Sequence, residues 1–321
     1  MMSTDRVKEE TGSFERPQIF RPPSEAYSYF LPLTSGCSNN TCTFCRYGGS
    51  KLQIRDVGEV KEEIDALARY LESGIVRPDI HPIVYALASQ LNSKRVFLQD
   101  GDALAYPYAK LVEVLEYLNE KFPWLERIAA YSTPQDLLRR SVEELKTLKS
   151  LKLDIVYVGP ESGDDEVLKK VKKGVTHHEI VEGCLKAKDA GITLSLTVLL
   201  GLGGVEGSRR HALETARILT EIDPEFVGAL TLTPVPGTPL FEDIKAGKFE
   251  PISPFQSLQE LRIIIESAHF TSCFFSSMHA SNYFSVRGNL PPDKERMLEQ
   301  LDTVLSKQDE SLLRPEFLRG L

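Results

Sequence analysis

The sequence contains no run of apolar residues long enough to cross a membrane, since a spanning helix needs about 20 of them. Its amino-terminal stretch, MMSTDRVKEETGSFERPQ, also lacks the apolar core of a secretory signal peptide. No internal repeat, low-complexity tract or long linker interrupts the 321 residues. We therefore expect a cytoplasmic protein without membrane attachment, long enough for one large domain or two small ones.

The chain also lacks an excess of positive charge. It has 46 acidic and 38 basic residues and a net charge of −8 at pH 7. Nucleic acids and anionic membrane surfaces attract the opposite balance. The composition therefore argues against a general binder of either surface, and we expect no nucleic acid among the partners. A local basic groove is compatible with this balance.

Cysteine is scarce, and three of the five cysteines are clustered. Cys37, Cys42 and Cys45 form a C-x4-C-x2-C pattern within GCSNNTCTFCRY, whereas Cys184 and Cys273 stand alone. This usage fits a reduced compartment and metal binding better than a disulfide framework. Thiolates this close in sequence can converge on one soft inorganic centre, either zinc or an iron–sulfur cluster. Three thiolates leave one metal position without a protein ligand, as catalytic metal sites do.

Strand-like and helix-like runs alternate along the chain, which predicts an α/β fold with a parallel sheet. Six short apolar runs are typical of buried parallel strands, and they lie at residues 26–33, 95–98, 127–132, 153–158, 192–200 and 226–232. Helical patterns follow them, at residues 57–73, 82–91, 107–122, 134–149, 176–190, 208–222 and 254–268. Six βα units are too few for a closed eight-stranded barrel. They predict a partial (β/α)6 TIM-like barrel over residues 26–268.

The segments on either side of the predicted barrel have different patterns. Residues 1–25 are polar and contain prolines, which predicts an N-terminal arm. Residues 269–321 contain an extended aromatic segment and a charged helix, which predict a C-terminal cap. If the cap covers the barrel mouth, His279, Asn282 and Tyr283 are candidate substrate contacts. The alternative is an ordinary packed terminal strand, because such aromatic residues are often core.

Polar or glycine-rich sequences follow several of the predicted strands. They are the cysteine loop, QDGD at 99–102, GPESG at 159–163, GLGG at 201–204 and TPVPGT at 233–238. In parallel α/β folds the chemistry gathers at the carboxyl ends of the strands. We therefore expect these sequences to lie on one rim.

The motifs GCSNNTCTFC, QDGDAL, GPESGDDEVLKKVKKG and TPVPGTPLF resemble, in this order, those of the radical S-adenosylmethionine (SAM) superfamily. The similarity covers roughly residues 22–250, and it is strongest to elongator-type and methylthiotransferase-like enzymes. It implies a partial (β/α)6 barrel and a [4Fe–4S] cluster held by Cys37, Cys42 and Cys45, with SAM on the fourth iron. The commonest spacing in the family is C-x3-C-x2-C, so this chain has one extra residue.

The resemblance also implies which residues contact SAM. They are Tyr47 near the adenine, Asp100, Gly101 and Asp102 at the amino group, Glu161 and Ser162 at the nucleoside, Lys173 at the carboxylate and Thr197 at the ribose. Carboxylates beside a glycine suit an ammonium ligand, because the backbone can approach closely and the charges complement each other. Without the resemblance, the same residues have ordinary interpretations as a turn, a helix cap, surface lysine and strand threonine.

The resemblance implies an enzyme that reductively cleaves SAM to a 5′-deoxyadenosyl radical, which abstracts hydrogen from a small-molecule substrate. It also implies an electron donor such as flavodoxin or ferredoxin. Two other classes of protein remain open. One is a non-catalytic haem or iron–sulfur carrier on the same fold, and the other is a zinc-loop interaction module.

Overall fold

The computed structural model describes residues 14–320, in which strands and helices alternate. The strands are β1 Tyr29–Pro32, β2 Thr34–Ser35, β3 Gln53–Ile54, β4 Arg95–Gln99, β5 Arg127–Ser132, β6 Leu153–Glu161, β7 Thr193–Leu200, β8 Phe226–Thr231, β9 Cys273–Ser276 and β10 Arg287–Leu290. The helices are α1 Val57–Ser73, α2 Ile83–Ala86, α3 Tyr108–Lys121, α4 Pro134–Arg139, α5 Val142–Ser150, α6 Asp165–Lys170, α7 His177–Asp189, α8 Gly204–Ile222, α9 Pro239–Lys245, α10 Pro254–Ser267 and α11 Lys294–Lys307.

One sheet organises the molecule. Its strand order is β1-β4-β5-β6-β7-β8-β9-β10, and every neighbouring pair is parallel except the last. The edge strands β1 and β10 do not pair with each other, so the sheet is an open barrel. The short strands β2 and β3 form a separate antiparallel hairpin. The prediction of an α/β partial barrel is therefore confirmed.

Strand β7 shows how sequence alternation sets the two faces of the sheet. Leu194, Leu196, Val198 and Leu200 are buried in the main hydrophobic core. The residues between them, including Thr197, are half-buried. Successive side chains of a strand point to opposite faces, so the leucine face packs on the helices. Thr197 lies on the inner, concave face.

The predicted N-terminal arm is in part an internal packing segment. Residues 1–13 lie outside the described part of the chain, but residues 14–25 contact the concave face. The Phe20 ring stacks on Tyr131 with centroids 6.2 Å apart. The Gln99 amide accepts from the Phe20 N–H at 3.0 Å, and Glu25 forms an ion pair with Arg127. The hydrogen bond of Phe20 and the buried carboxyl of Glu25 attach this polar, proline-bearing stretch to the sheet.

The C-terminal segment adds two strands to the sheet, which corrects the prediction of a cap that only covers the mouth. Strand β9 pairs with β8 in parallel, and β10 returns antiparallel. The loop between them does lie at the carboxyl end of β8, where Asn282 accepts a hydrogen bond from Thr231 at 2.7 Å. The segment therefore extends the barrel wall and covers part of the rim.

Local capping explains where several helices begin. The helix expected over residues 134–149 is divided into α4 and α5, because Ser141 and Glu144 form a capping box that starts a second helix. Helix α7 begins with the same arrangement at Thr176. Helix α8 begins at Gly204, four residues before the predicted start at 208. The short helix α9 was not predicted.

None of the helices in residues 14–320 is long and apolar enough to cross a membrane.

Candidate functional site

The three clustered cysteines lie on the loop that joins β2 to β3, directly after β1. Cys42 is buried, and Cys37 and Cys45 are half-buried. Cys184 is buried in α7 and Cys273 is buried in β9, so both lie outside this loop. The loop follows the carboxyl end of β1, where a parallel α/β fold presents its reactive groups.

The four residues between Cys37 and Cys42 are anchored on different sides. The Asn40 amide donates to the carbonyl of Ser50 at 2.7 Å, and the Asn40 carbonyl accepts from the Gly49 N–H at 2.6 Å. These bonds tie the loop to its own far end. The Ser38 hydroxyl reaches the carboxyl groups of Asp102 and Asp136.

The loop also pairs with the chain that follows α6. Three donors of the loop meet three consecutive backbone carbonyls: Thr43 N–H to Val171 at 3.0 Å, the Thr41 hydroxyl to Lys172 at 2.9 Å and the Asn39 amide to Lys173 at 2.5 Å. The extra residue in the C-x4-C spacing is therefore accommodated by a fully bonded loop.

Asp100 supports the cysteine loop from β4. One carboxylate oxygen accepts from the Gly36 N–H at 3.0 Å, and the other accepts from the Tyr47 hydroxyl at 2.6 Å. The side chain is 2% exposed. A Cβ atom on Gly101 would lie 3.1 Å from the Tyr47 ring and 3.2 Å from the Gly36 carbonyl oxygen. Asp100 and Gly101 thus hold Tyr47 against the rim, and both oxygens of Asp100 already have donors.

Asp102 is fully buried under the loop beside Asp136. Burial and the neighbouring Asp136 raise the pKa of Asp102 well above its ordinary value. Burial acts in the same sense on Asp136, but its hydrogen bonds and the Arg139 ion pair lower its pKa overall. The two buried carboxyl groups thus act on each other's pKa in opposite directions. One oxygen of Asp102 accepts from Ser38, and the other, Oδ1, has no hydrogen-bond partner in the described residues. The contact of Asp102 with the amino group of SAM stays a prediction.

Lys173 and Glu161 form an ion pair at the end of β6, with 3.3 Å between Nζ and Oε1. Burial alone would lower the pKa of Lys173, but Glu161 and the thiols of Cys42 and Cys37 outweigh it and raise the pKa. A Cβ on Gly159 would lie 2.0 Å from Glu161 Oε1, so this glycine is what lets the glutamate fold back. Both side chains therefore lie beside the cysteine loop, and their contacts with SAM stay a prediction.

Ser162 points away from the site, although Glu161 precedes it directly. It is fully buried, and its hydroxyl bonds to Nδ1 of His211 at 2.8 Å and accepts from the Asp164 N–H at 3.0 Å. Nε2 of His211 donates to the Leu199 carbonyl at 2.9 Å. Ser162 therefore joins β6 to α8, and the prediction that it contacts the nucleoside is not supported.

The three thiols affect one another electrostatically. Burial raises the pKa of Cys37 to about 12, and the Asp102 carboxyl and the Cys42 thiol add to the rise. Burial also raises the pKa of Cys42 and of Cys45, while the Lys173 ammonium acts in the opposite direction on both. The three thiols thus lie beside the Lys173 ammonium, which lowers the pKa of each against the effect of burial.

In the C-terminal loop, Asn282 and Tyr283 are occupied by the protein itself. The Asn282 amide donates to the carbonyls of Ala229 and Ser277, each at 2.8 Å. The Tyr283 hydroxyl donates to Glu316 at 2.8 Å. The packed-segment alternative therefore describes these two residues better than substrate contact. His279 Nδ1 bonds within the same loop, 2.9 Å from the Ser281 hydroxyl.

Sequence reasoning missed two residues that shape the site, Asn39 and Asp136. Asn39 donates to Cys42 Sγ at 3.2 Å as well as to Lys173. Asp136 lies 98 residues after its partner Ser38. A usable sequence signal for Asn39 was its place inside the lengthened cysteine spacing. Asp136 had no such signal, since it stands in an ordinary helix start.

The family model described as Radical SAM superfamily matches residues 31–216, more than half of the chain and including the cysteine loop. The chain belongs to the radical SAM superfamily. Members of this superfamily are enzymes that use a [4Fe–4S] cluster and SAM.

Curated relatives of this radical SAM chain are distant. A putative methylthiotransferase from Methanocaldococcus jannaschii is 25% identical over 275 residues, covering 82% of this chain and 55% of that protein. A tRNA-2-methylthio-N(6)-dimethylallyladenosine synthase from a Sulfurihydrogenibium species is 25% identical over 219 residues, covering 66% and 45%. The chain thus spans about half the length of these relatives. Since one is named for a tRNA product, the comparisons do not support our exclusion of nucleic acid.

A solved structure shows the same fold. Coproporphyrinogen III oxidase (HemN) from Escherichia coli, described as a radical SAM enzyme, aligns with a TM-score of 0.52 and 17% identity. The alignment covers 74% of this chain and 51% of that chain. At this sequence identity the similarity supports only the barrel fold.

The donor set of the rim fits an iron–sulfur cluster better than a single ion. Zinc needs ligand sulfurs about 2.3 Å from one point. Across residues 14–320, no three His, Cys, Asp or Glu side chains are arranged to hold one ion. In a cluster each cysteine binds a different iron, so its sulfurs lie farther apart. The three thiols, the adjacent ammonium of Lys173 and the absence of a fourth nearby cysteine suit that larger group.

Proposed function

We propose that this chain is a radical SAM enzyme whose cluster is held by Cys37, Cys42 and Cys45 and whose substrate is a small molecule. The observation that carries the proposal is the rim loop, on which three thiols share one buried environment beside Lys173. Cys37, Cys42 and Cys45 would hold a [4Fe–4S] cluster that would supply the electron for reductive cleavage of SAM and so for hydrogen abstraction from the substrate. A flavodoxin or ferredoxin is the proposed electron donor.

The chain's own residues bind and orient SAM in this proposal. Lys173 pairs with its carboxylate, because the buried ammonium already lies next to the thiols. Glu161 and Thr197 face the same concave side and accept from the ribose hydroxyls. Tyr47 lies by the adenine, held there through its bond to Asp100.

Asp100 and Gly101 take a different part from the one that the resemblance implied. We assign Asp100 to the support of the cysteine loop, since Gly36 and Tyr47 already occupy both of its carboxyl oxygens. Asp102 supports the loop with one oxygen, which accepts from Ser38. Gly101 keeps the backbone close to Tyr47. Oδ1 of Asp102, which has no hydrogen-bond partner in the described residues, and backbone groups at this turn are then left for the amino group of SAM.

The concave face favours a small, weakly polar substrate. The half-buried residues of β7 and β8 on that face carry no charge: they are Thr193, Ser195, Thr197, Leu199, Gly228 and Leu230. Such a wall offers nothing to the phosphates of a nucleic acid, which bind mainly to lysine and arginine. It can exclude water from a reactive intermediate.

Anaerobic reconstitution with iron and sulfide tests the enzyme proposal. After reduction with dithionite and addition of SAM, we expect a brown protein that forms 5′-deoxyadenosine, measured by mass spectrometry. Cys42→Ala should lose both the colour and the product, whereas Cys184→Ala, which changes a buried cysteine in α7, should keep both. A brown protein that forms no 5′-deoxyadenosine would support the non-catalytic carrier. A colourless protein that binds zinc would support the zinc module.

The SAM assignment and the substrate class have their own tests. Lys173→Met should raise the SAM concentration needed for half-maximal cleavage about tenfold. A tenfold change corresponds to roughly 1.4 kcal/mol, which is typical of one charge-assisted hydrogen bond. The exposed neighbour gives the matched control Lys172→Met, which should not change it. Stimulation of SAM cleavage by a small-metabolite fraction and not by total tRNA would support the substrate proposal. Stimulation by tRNA alone would refute it.

A further inference from the structure

The side-chain amide of Asn39 is fixed in one orientation. One amide atom lies 2.5 Å from the Lys173 carbonyl oxygen. A carbonyl can only accept, so this atom is the nitrogen. The amide oxygen lies on the other side, 2.9 Å from the Thr41 hydroxyl.

This orientation directs the second amide hydrogen of Asn39 at a cysteine sulfur. Nδ2 lies 3.2 Å from Cys42 Sγ. Cys42 is 6% exposed, so water does not compete strongly for the sulfur. The amide is therefore a preformed donor to a buried cluster ligand.

The surroundings keep the amide in place. The Lys173 carbonyl also accepts from the Gln135 amide at 2.7 Å, which holds that carbonyl from a second side. A Cβ on Gly174 would lie 3.4 Å from the Asn39 oxygen, so the backbone of Gly174 approaches the amide closely. Asn39 occupies the lengthened spacing between Cys37 and Cys42, where one extra residue gives room for this side chain.

We propose that Asn39 is a positioning residue whose amide donates a hydrogen bond to Cys42 sulfur and raises the reduction potential of the cluster. The inference rests on the proposed function, because it assumes that Cys42 is a cluster ligand. Hydrogen bonds to the sulfurs are among the factors that set the potentials of iron–sulfur clusters. One electron, delivered by an external donor, adds negative charge to the cluster and its ligands. A donor aimed at the sulfur stabilises that added charge, so its removal disfavours reduction.

The test compares Asn39→Ala and Asn39→Asp with the wild-type chain after anaerobic reconstitution. Iron content and the absorption spectrum report whether the cluster assembles, and a dithionite titration followed by electron paramagnetic resonance gives the midpoint potential. We expect Asn39→Ala to lower the reduction equilibrium constant about tenfold, or roughly 59 mV for one electron. Asn39→Asp should lower it further, because it also places a negative charge by the sulfur.

Asn40→Ala is the matched control. Asn40 belongs to the same loop, but its amide donates to the Ser50 carbonyl and not to sulfur. Its midpoint should equal that of the wild type. Equal midpoints in the wild type and both Asn39 variants would overturn the inference, as would equal shifts in the Asn39 and Asn40 variants. If the Asn39 variants lose the cluster while Asn40→Ala keeps it, the result supports a role of Asn39 in positioning the Cys42 sulfur. If the Asn39 and Asn40 variants all lose the cluster, a specific role of Asn39 is refuted. A wild-type chain without any cluster would instead overturn the proposed function.

Discussion

Replacing Glu260 with glutamine should change how the stability of this protein depends on pH. Glu260 projects from α10 beneath the carboxyl end of β7, where it is fully buried. One carboxylate oxygen accepts from the Gly201 N–H at 2.7 Å. Burial raises the pKa of Glu260 to about 7, against the smaller opposing effects of Ser208 and of Gly201.

The sign and size of the effect follow from the difference between the folded and unfolded pKa of Glu260. The ordinary pKa is 4.5, so the pKa of Glu260 is about 2.5 units higher in the folded state than in the unfolded state. At 1.36 kcal/mol per unit, Glu260 contributes up to about 3.4 kcal/mol of stability. This contribution is complete below about pH 4.5 and is lost as the pH rises through about 7.

His211, 3.8 Å from Glu260, acts in the opposite sense. Burial lowers its pKa from 6.5 to about 4, so its neutral form favours the folded state above pH 6.5 and this contribution is lost on acidification. When the wild type and the variant are compared at the same pH, the contribution of His211 to the free energy of unfolding is common to both and cancels. The difference between their unfolding free energies then reports Glu260.

Urea unfolding of the cluster-free protein at pH 5, 6, 7 and 8, under reducing conditions, measures this difference. Between pH 5 and pH 8 the free energy of unfolding of Glu260→Gln should rise by about 2.5 kcal/mol relative to that of the wild type. Glu266→Gln, on the exposed part of the same helix, is the matched control and should show a change below about 0.5 kcal/mol. A pH-independent difference for Glu260→Gln would refute the reasoning.

Three further predictions concern packing and the loop, and chemical denaturation measures each. Gly163→Ala should destabilise the fold by more than about 3 kcal/mol, because the added Cβ would lie 2.1 Å from a carbonyl oxygen of α8. Gly207→Ala should stabilise the fold by about 0.5–1 kcal/mol, because no atom lies within 4 Å of the added Cβ and alanine favours the helix. Asn282→Ala should cost about 2–4 kcal/mol, since it leaves buried carbonyls and a hydroxyl unpaired; a cost below 1 kcal/mol would contradict this. Tyr47→Phe should cost about 1–3 kcal/mol by removing a donor from buried Asp100, and the iron content after reconstitution should fall with it; unchanged stability and iron content would contradict the proposed support of the loop.

Several features of the site follow from local sequence, and the structure agrees with them. The apolar run at residues 192–200 predicts a buried parallel strand, and β7 spans Thr193–Leu200 with every second residue buried. The cysteine spacing predicts a loop after the first strand, and the strand ends 99–102 and 159–163 do lie beside it. Periodicity and turn chemistry depend on neighbouring residues, so they can be recognised without the fold.

The roles of individual rim residues did not follow from the sequence. Glu161 and Ser162 are neighbours, yet one faces Lys173 and the other packs on His211. Asp100 and Asp102 look alike in the motif, yet only Asp102 is paired with a second carboxyl, which comes from α4. Which side of the rim each residue faces depends on strand register and on the helix packed behind it.

The amino-acid sequence by itself determined the alternation of strands and helices, the three thiols on one short loop and the family to which the chain belongs. The tertiary structure alone decided that β9 and β10 extend the sheet, that residues 14–25 contact its concave face, and that Asn39 meets both Cys42 and Lys173. The physical reason is the range of the interactions. A strand or a cysteine spacing is encoded by adjacent residues, whereas the Asn39 amide and the Lys173 carbonyl are 134 positions apart and meet only when the sheet is assembled.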